Sequence, residues 1–353
     1  MHVPDGFIDA PTSAVTGVVA AGALAVSLRG ARRELDERTA PLAGLVAAFI
    51  FAVQMLNFPV AAGTSGHLLG GALAAILVGP YTAVLCVSVV LLMQGVLFAD
   101  GGLTALGVNI TDMAIVTTVV AYAVFKGLLA VLPRSRRSIT AASFVAALLS
   151  VPAAAVVFTL IYAIGGTTDV SIAKVATAMI GVHVLIGIGE AVITSLTVAA
   201  VVAVRPDLVY GARGLRQKLQ LRVNGELVDA PDPADAAPAP AAARTSRRTL
   251  WITGLVTSLV LAGFVSFYAS ANPDGLEKVA HDKGIDKRTQ PHHSSDSPLA
   301  DYGVKDVANA RLSGGLAGVI GVGVTAVAGS AVFWAVRRRR DHDASPANTN
   351  TSV

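Results

Sequence analysis

The amino terminus of this chain places three nitrogen atoms within one residue of each other. The sequence begins Met1-His2, so the α-amine of Met1 lies next to the backbone amide and the imidazole of His2. A backbone amide loses its proton only to a metal that holds it strongly in a plane, which favours Ni²⁺ or Cu²⁺ and, less firmly, Co²⁺. The pair therefore predicts three nitrogens of a square-planar metal site. A histidine that follows the start codon by chance would look the same, so this interpretation depends on the rest of the chain.

A glycine-rich segment supplies the best candidate for a fourth nitrogen. Residues 57–71 read NFPVAAGTSGHLLGG, with four glycines and a proline around His67. This composition predicts a loop of special backbone shape rather than a plain helix end. We expect the loop to fold back and point the His67 ring at the amino terminus, with Asn57 and Ser65 beside the metal site or on a path from it. A hydrogen-bonded histidine at the membrane interface is the alternative.

Several polar residues lie inside apolar stretches. His183 and Glu190 are seven positions apart, so on a helix they share one face about two turns from each other. An ionisable group inside a membrane span is costly and usually faces the bundle interior. The pair predicts either a transfer path or second shell for the metal, or a buried polar pair that locks helices together. Asn109 and Asp112 fit either role.

A polar segment near the carboxyl end carries further candidate ligands. It begins NPDGLE at position 272 and contains Asp274, Glu277 and His281. Acidic and histidine side chains in one loop could collect cations at the entrance to a metal site. A solvated, charged loop explains the same residues, and we expect that state rather than direct coordination.

Known catalytic signatures are missing from the sequence. It contains no HExxH pair for a zinc protease and no GxSxG nucleophile turn. It also has no GxxxxGK[ST] loop, so the chain is not expected to hydrolyse ATP. We predict a protein that is not an enzyme.

The composition indicates that most of the chain lies in lipid. Its 353 residues are 54% hydrophobic and 14% charged, with a mean hydropathy of +0.65, which is too apolar for a soluble domain of this size. The single cysteine, Cys86, excludes an intrachain disulfide. The net charge of +4 comes from basic residues at the ends of apolar runs, which argues against a nucleic-acid partner.

Nine apolar stretches are candidate membrane spans, since a span needs about 20 apolar residues. The third stretch, at 67–79, is short and glycine-rich, which predicts a half-span or a tilted helix. The stretches cover roughly 12–28, 41–58, 67–79, 81–98, 103–125, 139–164, 176–204, 250–269 and 313–336.

The basic residues predict an orientation for these spans. With the amino terminus outside and the carboxyl terminus in the cytoplasm, every strongly basic segment falls on the inner side. No positive charge precedes the first span, so we expect an uncleaved helix rather than a signal peptide. The predicted fold is an all-α polytopic membrane protein. Its predicted parts are a seven-span domain (1–205), a flexible cytoplasmic linker (206–248), a two-span module (249–340) and a disordered tail (341–353).

Three segments resemble one family of membrane proteins. Residues 1–7, 57–71 and 183–190 are similar to the CbiM/NikM family, the substrate-binding membrane components of energy-coupling-factor transporters for cobalt and nickel. The PDGLE sequence at 273–277, with an apolar stretch on each side, resembles the module of NikN-type small subunits. Together these similarities cover about 1–205 and 250–336.

The resemblance implies a seven-helix substrate-capture subunit fused to its two-helix partner. It implies that Ni²⁺ or Co²⁺ is the transported substrate, held by the amine of Met1, the amide and imidazole of His2 and the ring of His67. No tightly bound cofactor is implied. The implied partners are a CbiQ/NikQ-like coupling subunit and a CbiO/NikO-like ATPase in a prokaryotic plasma membrane. The initiator methionine should persist, because a bulky second residue such as histidine usually blocks its removal.

Two other classes of function stay open at the level of the sequence. One is a stand-alone secondary metal transporter or channel that uses His183 and Glu190 as a proton or ion relay. The other is a non-transporting membrane scaffold or metal sensor in which the PDGLE segment is an interaction surface. The residues also leave the choice between nickel and cobalt open.

Overall fold

Helices make up most of the structure. The computed structural model describes residues 1–35, 40–61, 63–215, 220–223, 226–229 and 247–343. The helices are α1 (Ala10–Glu34), α2 (Ala40–Gln54), α3 (Gly71–Val78), α4 (Pro80–Leu97), α5 (Leu106–Asn109), α6 (Thr117–Val131), α7 (Arg136–Gly165), α8 (Ile172–Val204), α9 (Arg247–Gly263), α10 (Gly275–Lys283) and α11 (Ala310–Asp343).

Seven helical segments of the described chain are long and apolar enough to cross a membrane. Helix α2 is a shorter apolar helix, and α3 is shorter still; with these two, each of the nine predicted spans corresponds to a helix. The prediction of an all-α polytopic membrane protein is therefore confirmed. The seven segments are Ala10–Glu34, Pro80–Leu97, Leu106–Val131, Arg136–Gly165, Ile172–Val204, Arg248–Tyr268 and Ala310–Arg338.

The third predicted span is a short helix buried at the centre of the bundle. Every residue of α3 is buried, and the helix packs against α4, α6, α7 and α8. At 1.5 Å per residue its eight residues extend only about 12 Å, far less than the bilayer core. Gly70 precedes it with a φ of 91°, a left-handed conformation that suits glycine. The glycine-rich sequence thus ends the loop and starts a half-length helix.

The fifth predicted span is one continuous helical segment with a change of winding. Between α5 and α6, residues Ile110–Val116 form π-helical turns. Such turns are rare and occur often at functional sites. Asp112 lies within these turns and is buried.

Two small antiparallel hairpins interrupt the helices. Strand β1 (Phe58–Ala61) pairs with β2 (Thr64–Gly66), with Phe58 opposite Gly66. The predicted loop around His67 is therefore a short hairpin, and residues 67–70, which have no regular secondary structure, connect it to α3. A second hairpin joins β3 (Gln220–Val223) to β4 (Glu226–Asp229).

The first part of the predicted linker is packed rather than flexible. Short 3₁₀ turns cover Pro206–Leu208 and Tyr210–Leu215, and Leu208, Val209 and Ala212 are buried. The prediction of a flexible linker over 206–248 is wrong for this part, because its apolar side chains find a place on the bundle. Residues 230–246 of that linker lie outside the described residues. Of the predicted tail, 341–343 continue α11 and 344–353 also lie outside the described part.

The two carboxyl-terminal helices pack on the first domain through α2. Helices α11 and α9 both contact α2, and α10 contacts α8. A Cβ atom at Gly44 of α2 would lie 2.4 Å from the Ser330 hydroxyl of α11. Small residues of this kind let membrane helices approach closely. The contact brings the segment between α9 and α11 over the amino-terminal residues.

Candidate metal centre

The amino-terminal segment is inserted into the helical bundle. Met1, His2 and Val3 are buried. The Val3 amide donates a hydrogen bond of 2.7 Å to Oδ1 of Asn109, and Nδ2 of Asn109 donates one of 3.2 Å to the Val3 carbonyl. Further along, the Asp5 carboxylate accepts from the amide and hydroxyl of Thr104. These bonds hold the first residues in an extended form with the terminal amine pointing inward.

The α-amine of Met1 lies between two side chains from distant parts of the chain. It is 2.8 Å from Nε2 of His67 and 2.7 Å from Oδ2 of Asp274. The carboxylate oxygen is itself 3.6 Å from Nε2 of His67. An imidazole nitrogen, an amine and a carboxylate oxygen therefore converge on one small volume.

The ring of His2 lies beside the same volume. It stacks on the His67 ring with centroids 5.1 Å apart and an angle of 21° between the planes. Its Nδ1 atom is 3.2 Å from Oδ1 of Asp100, and its Nε2 atom is 3.1 Å from Oε1 of Gln94. Burial lowers the pKa of His2 to about 4; Asp100 opposes that shift, and the N-terminal ammonium adds to it. The ring is thus held in the neutral form that a metal requires.

Hydrogen bonds from three parts of the chain orient His67 and its loop. Its Nδ1 atom donates to the Leu68 carbonyl oxygen at 3.0 Å, which leaves the lone pair of Nε2 directed at the Met1 amine. The Glu190 carboxylate of α8 accepts hydrogen bonds from the amides of Leu69 (2.7 Å) and Gly70 (3.1 Å). On the other side of the loop, the Ser65 amide donates to the Pro273 carbonyl at 2.9 Å.

Asp274 is buried in the site. It is the N-cap of α10 in a capping box: Oδ1 accepts from the Glu277 amide at 2.8 Å, and the Glu277 carboxylate accepts from the Asp274 amide at 2.9 Å. Burial alone would raise the pKa of Asp274, but the N-terminal ammonium and His67 outweigh it and hold the pKa well below its usual range. The carboxylate is therefore ionised.

The expectation of a solvated PDGLE loop is wrong for Asp274, whose exposure is 8%. The docking of α9 and α11 on α2 carries this residue into the bundle. Glu277 and His281 are exposed, as expected for a solvated loop. His281 makes a surface contact of 3.2 Å with Asp286 and lies away from the buried cluster.

The other predicted polar residues have separate surroundings. His183 donates from Nδ1 to the Met179 carbonyl of its own helix at 2.7 Å, and its Nε2 atom has no hydrogen-bond partner among the described residues. Both carboxylate oxygens of buried Asp112 also have none within the described part. His183 and Glu190 share a buried face of α8, but each bonds to different groups. Glu190 joins α8 to the segment before α3, whereas His183 bonds within α8.

A cavity opens beside the site on the α2 and α11 side. Its volume is about 390 Å³, and its lining includes Asn57, Asp100 and Tyr302. The Tyr302 hydroxyl donates to Oδ2 of Asp100 at 2.6 Å, while the other oxygen of this carboxylate faces His2. Asn57 thus lines this cavity.

Two contact residues of the site were not predicted from the sequence as site residues. Gln94 is an amide side chain in the otherwise largely apolar run of α4, and a strongly polar residue in an apolar run is also what drew attention to Glu190. Asp100 follows that helix in a short loop, and its charge alone does not distinguish it from other loop residues. Gln94 was therefore detectable in principle, whereas Asp100 needed the fold.

The donor set is rich in nitrogen. His2, His67 and Asp274 each offer a ligand atom within 4.8 Å of the others, and the amine of Met1 lies among them. For metal–nitrogen bonds of about 2.0–2.1 Å, two ligands at a right angle lie about 2.9 Å apart. The distance of 2.8 Å between the amine and His67 matches that geometry. Nitrogen ligands of this kind suit late divalent transition metals.

The fold and this cluster define the class of protein. It is a polytopic helical membrane protein whose own amino terminus lies in a buried, nitrogen-rich cluster. A model of the CbiM family, described as the cobalt uptake substrate-specific transmembrane region, matches residues 2–208. The chain belongs to this family. A PDGLE domain model matches residues 248–338, so the chain is a CbiM region fused to a PDGLE domain.

Relatives with transport names match the same region. The chain is 33% identical over 216 residues to the cobalt transport protein CbiM of Sorangium cellulosum, covering 59% of this chain and 94% of that protein. It is 45% identical over 125 residues to the fused nickel transport protein NikMN of Rhodobacter capsulatus, covering 35% of this chain and 36% of that one. A crystal structure of a transition metal transporter aligns with 62% of this chain and 100% of its own, at 28% identity and a TM-score of 0.49.

Proposed function

We propose that this chain is the substrate-binding membrane component of an energy-coupling-factor transporter that imports Ni²⁺ or Co²⁺. The metal is captured by the amine of Met1, the amide and imidazole of His2 and the Nε2 atom of His67. One observation carries the proposal: the terminal amine and Nε2 of His67 lie 2.8 Å apart in a buried site, with the neutral ring of His2 beside them.

Binding the cation requires proton loss from the protein. The ammonium of Met1 gives up one proton to become an amine ligand, and the His2 amide gives up another. The two imidazoles bind through the lone pair of a ring nitrogen. The loss of two protons per metal makes the affinity fall steeply in acid.

The ligand types determine which cations are rejected. Mg²⁺ and Ca²⁺ prefer oxygen ligands and hold water firmly, so a nitrogen plane binds them poorly. Cu²⁺ would bind such a plane more tightly than Ni²⁺ on intrinsic affinity, so metal availability must contribute to selection. The ligands favour Ni²⁺ slightly over Co²⁺.

Transport depends on further subunits in this proposal. The sequence has no phosphate-binding loop for ATP, so a CbiO/NikO-like ATPase and a CbiQ/NikQ-like coupling subunit provide the energy. The basic residues at one set of helix ends favour an external amino terminus in the prokaryotic plasma membrane, where it meets incoming metal. Asp112 and His183 are buried, with side-chain atoms that have no hydrogen-bond partner among the described residues, and we propose that they serve the inward path of the metal from the site.

A secondary transporter with His183 and Glu190 as a relay is less well supported. Both oxygens of Glu190 accept hydrogen bonds from the backbone that follows His67. A carboxylate held in this way serves as a structural support for the loop. A sensor or scaffold would bind metal at the same site without moving it, so uptake in the presence of the partner subunits separates it from a transporter.

The test is metal binding by the purified full-length chain. We expect wild type to bind one Ni²⁺ per chain, and His2→Ala and His67→Ala to lose stoichiometric binding. His281→Ala is the matched control, because this histidine is exposed and lies away from the site. Stoichiometric binding of unchanged affinity in both site variants would contradict the proposal.

A further inference from the structure

We propose that Asp274 of the PDGLE segment is a fifth, axial ligand of the bound metal. This inference rests on the proposed function, because it adds an oxygen to the nitrogen plane formed by the first domain. The finished site is then built from both modules of the chain, with four nitrogens from residues 1–67 and one carboxylate from the two-helix module.

The positions of the ligand atoms carry the inference. Oδ2 of Asp274 is 2.7 Å from the Met1 amine and 3.6 Å from Nε2 of His67. An axial ligand is at a right angle to every ligand in the plane, so separations of about 3 Å from each of them are required. The amine meets this distance, and Nε2 of His67 exceeds it by about 0.6 Å, so the carboxylate oxygen moves toward His67 when it takes the axial position.

The carboxylate is fixed in place before metal arrives. Oδ1 is used by the Glu277 amide in the capping box, so Oδ2 is the oxygen that faces the site. The backbone before it is tied to the His67 hairpin, since the Ser65 amide donates to the Pro273 carbonyl and the Ser65 hydroxyl donates to the Asn272 carbonyl. Ligands held by surrounding hydrogen bonds need little rearrangement on binding.

Charge balance favours the same role. Without metal, the N-terminal ammonium and the Asp274 carboxylate form an ion pair with no net charge. The side chains of Met1 and Asp274 are 1% and 11% exposed. With metal, a divalent cation and the deprotonated His2 amide leave one positive charge, which the carboxylate neutralises. A buried charge without a partner is costly, so the site needs this carboxylate in both states.

The bound metal thus joins the two modules. Its four nitrogens belong to the segment before α3, and the axial oxygen belongs to the cap of α10. Metal binding therefore stabilises the docked arrangement, and loss of the axial oxygen weakens binding without removing the plane.

The experiment is X-ray absorption at the nickel edge on the purified full-length chain loaded with Ni²⁺ alone. Asp274→Ser keeps an N-cap residue but is too short to reach the metal, and Glu277→Gln keeps the capping box and Asp274. We expect five nitrogen and oxygen neighbours in wild type and in Glu277→Gln. In Asp274→Ser we expect a changed spectrum and an affinity lower by about 10–100-fold.

Four neighbours in a planar arrangement in wild type would overturn the inference. An unchanged spectrum together with an unchanged affinity in Asp274→Ser would overturn it as well. Both outcomes leave the proposed function intact, since stoichiometric Ni²⁺ still binds. Failure of wild type to bind Ni²⁺ at all would instead contradict the proposed function.

Discussion

The α-amine of Met1 and the Nε2 atom of His67 lie 2.8 Å apart in the buried centre of the bundle, although 66 residues separate them in sequence. An amine of this kind exists only at a chain terminus. The site therefore depends on the chemistry of the terminus itself and on the hairpin that carries His67.

Glu190 is expected to act as a support for the His67 loop. In Glu190→Gln, the NH₂ group that replaces one carboxylate oxygen cannot accept a hydrogen bond, so one of the bonds from Leu69 and Gly70 is lost. We expect the Ni²⁺ affinity to fall by about 10–100-fold with stoichiometry retained at high metal, as for other residues that orient a ligand. Titration calorimetry measures this change.

The control for Glu190 is Ser195→Ala in the same helix, whose hydroxyl donates to the Val192 carbonyl of that helix. If Glu190 were instead a transport relay, Glu190→Gln would slow uptake while its equilibrium affinity stayed at the wild-type value. That result would contradict the support role.

Asn109 is expected to hold the amino-terminal segment in the bundle. Its side chain bonds to both the amide and the carbonyl of Val3. In Asn109→Leu the buried Val3 amide loses its partner, at a cost of about 1–3 kcal/mol, whereas the Val3 carbonyl keeps its hydrogen bond from the Gly102 amide. We expect weaker Ni²⁺ binding and a lower unfolding temperature, with a smaller loss in Asn109→Asp, which keeps the acceptor. Equal affinity in Asn109→Leu and wild type would argue against this role.

Metal binding is expected to release about two protons per Ni²⁺ at pH 7. The ammonium of Met1 and the amide of His2 supply them. Burial lowers the pKa of His2 to about 4, so its ring is already neutral at pH 7 and contributes no proton. The affinity should then fall by up to about 100-fold for each unit of pH decrease.

Calorimetry in buffers of different ionisation enthalpy counts these protons. Release of a single proton at pH 7 would mean that one of the two nitrogens stays protonated, and a plane of four nitrogens would then be wrong.

Gly44 is expected to control the docking of the two-helix module. A side chain at this position of α2 would meet the Ser330 hydroxyl at 2.4 Å and its backbone nitrogen at 3.0 Å. Gly44→Leu should therefore separate α2 from α11, at a cost of about 1–3 kcal/mol. We expect a lower unfolding temperature and a lower Ni²⁺ affinity, because Asp274 is displaced.

Gly323 of α11 is the matched control, since nothing lies within 4 Å of the place where its Cβ would stand. Gly323→Leu should leave both quantities near the wild-type values. A Gly44→Leu protein that matches Gly323→Leu in affinity would show that docking does not contribute to the site.

The helices of this protein could be predicted from its sequence because long apolar runs leave few alternatives in lipid. The π-helical turns at Ile110–Val116 have no compositional signal, and they depend on how side chains pack around them. The hairpin before His67 was expected only as a loop, because its strands are four and three residues long. Packing of Leu208 and Val209 on the bundle likewise needs the tertiary fold.

The site was predictable to the extent that its residues are unusual in their own segments. Met1-His2 and the glycine-rich segment around His67 stood out for that reason. Asp274 did not stand out as a buried residue of the site, because a helix-capping sequence is equally typical of a solvated helix start. Its ion pair with an ammonium 273 residues away arises from the docking of whole helices. The position of Asp100 beside His2 also depends on the tertiary fold and could not be predicted from its own segment.

The most direct test of the account is Ni²⁺ binding by a chain with two glycines added before Met1. The addition turns the amine of Met1 into an amide and moves the new amine away from His67. Two residues are added because a single one would place His2 third in the chain, where the terminus alone offers four nitrogens to Ni²⁺. A chain with the same two glycines added after Val353 is the control. We predict one Ni²⁺ per chain for wild type and for the control, and no stoichiometric binding for the amino-terminal extension. One tightly bound Ni²⁺ in the extended chain, with wild-type affinity, would contradict the account.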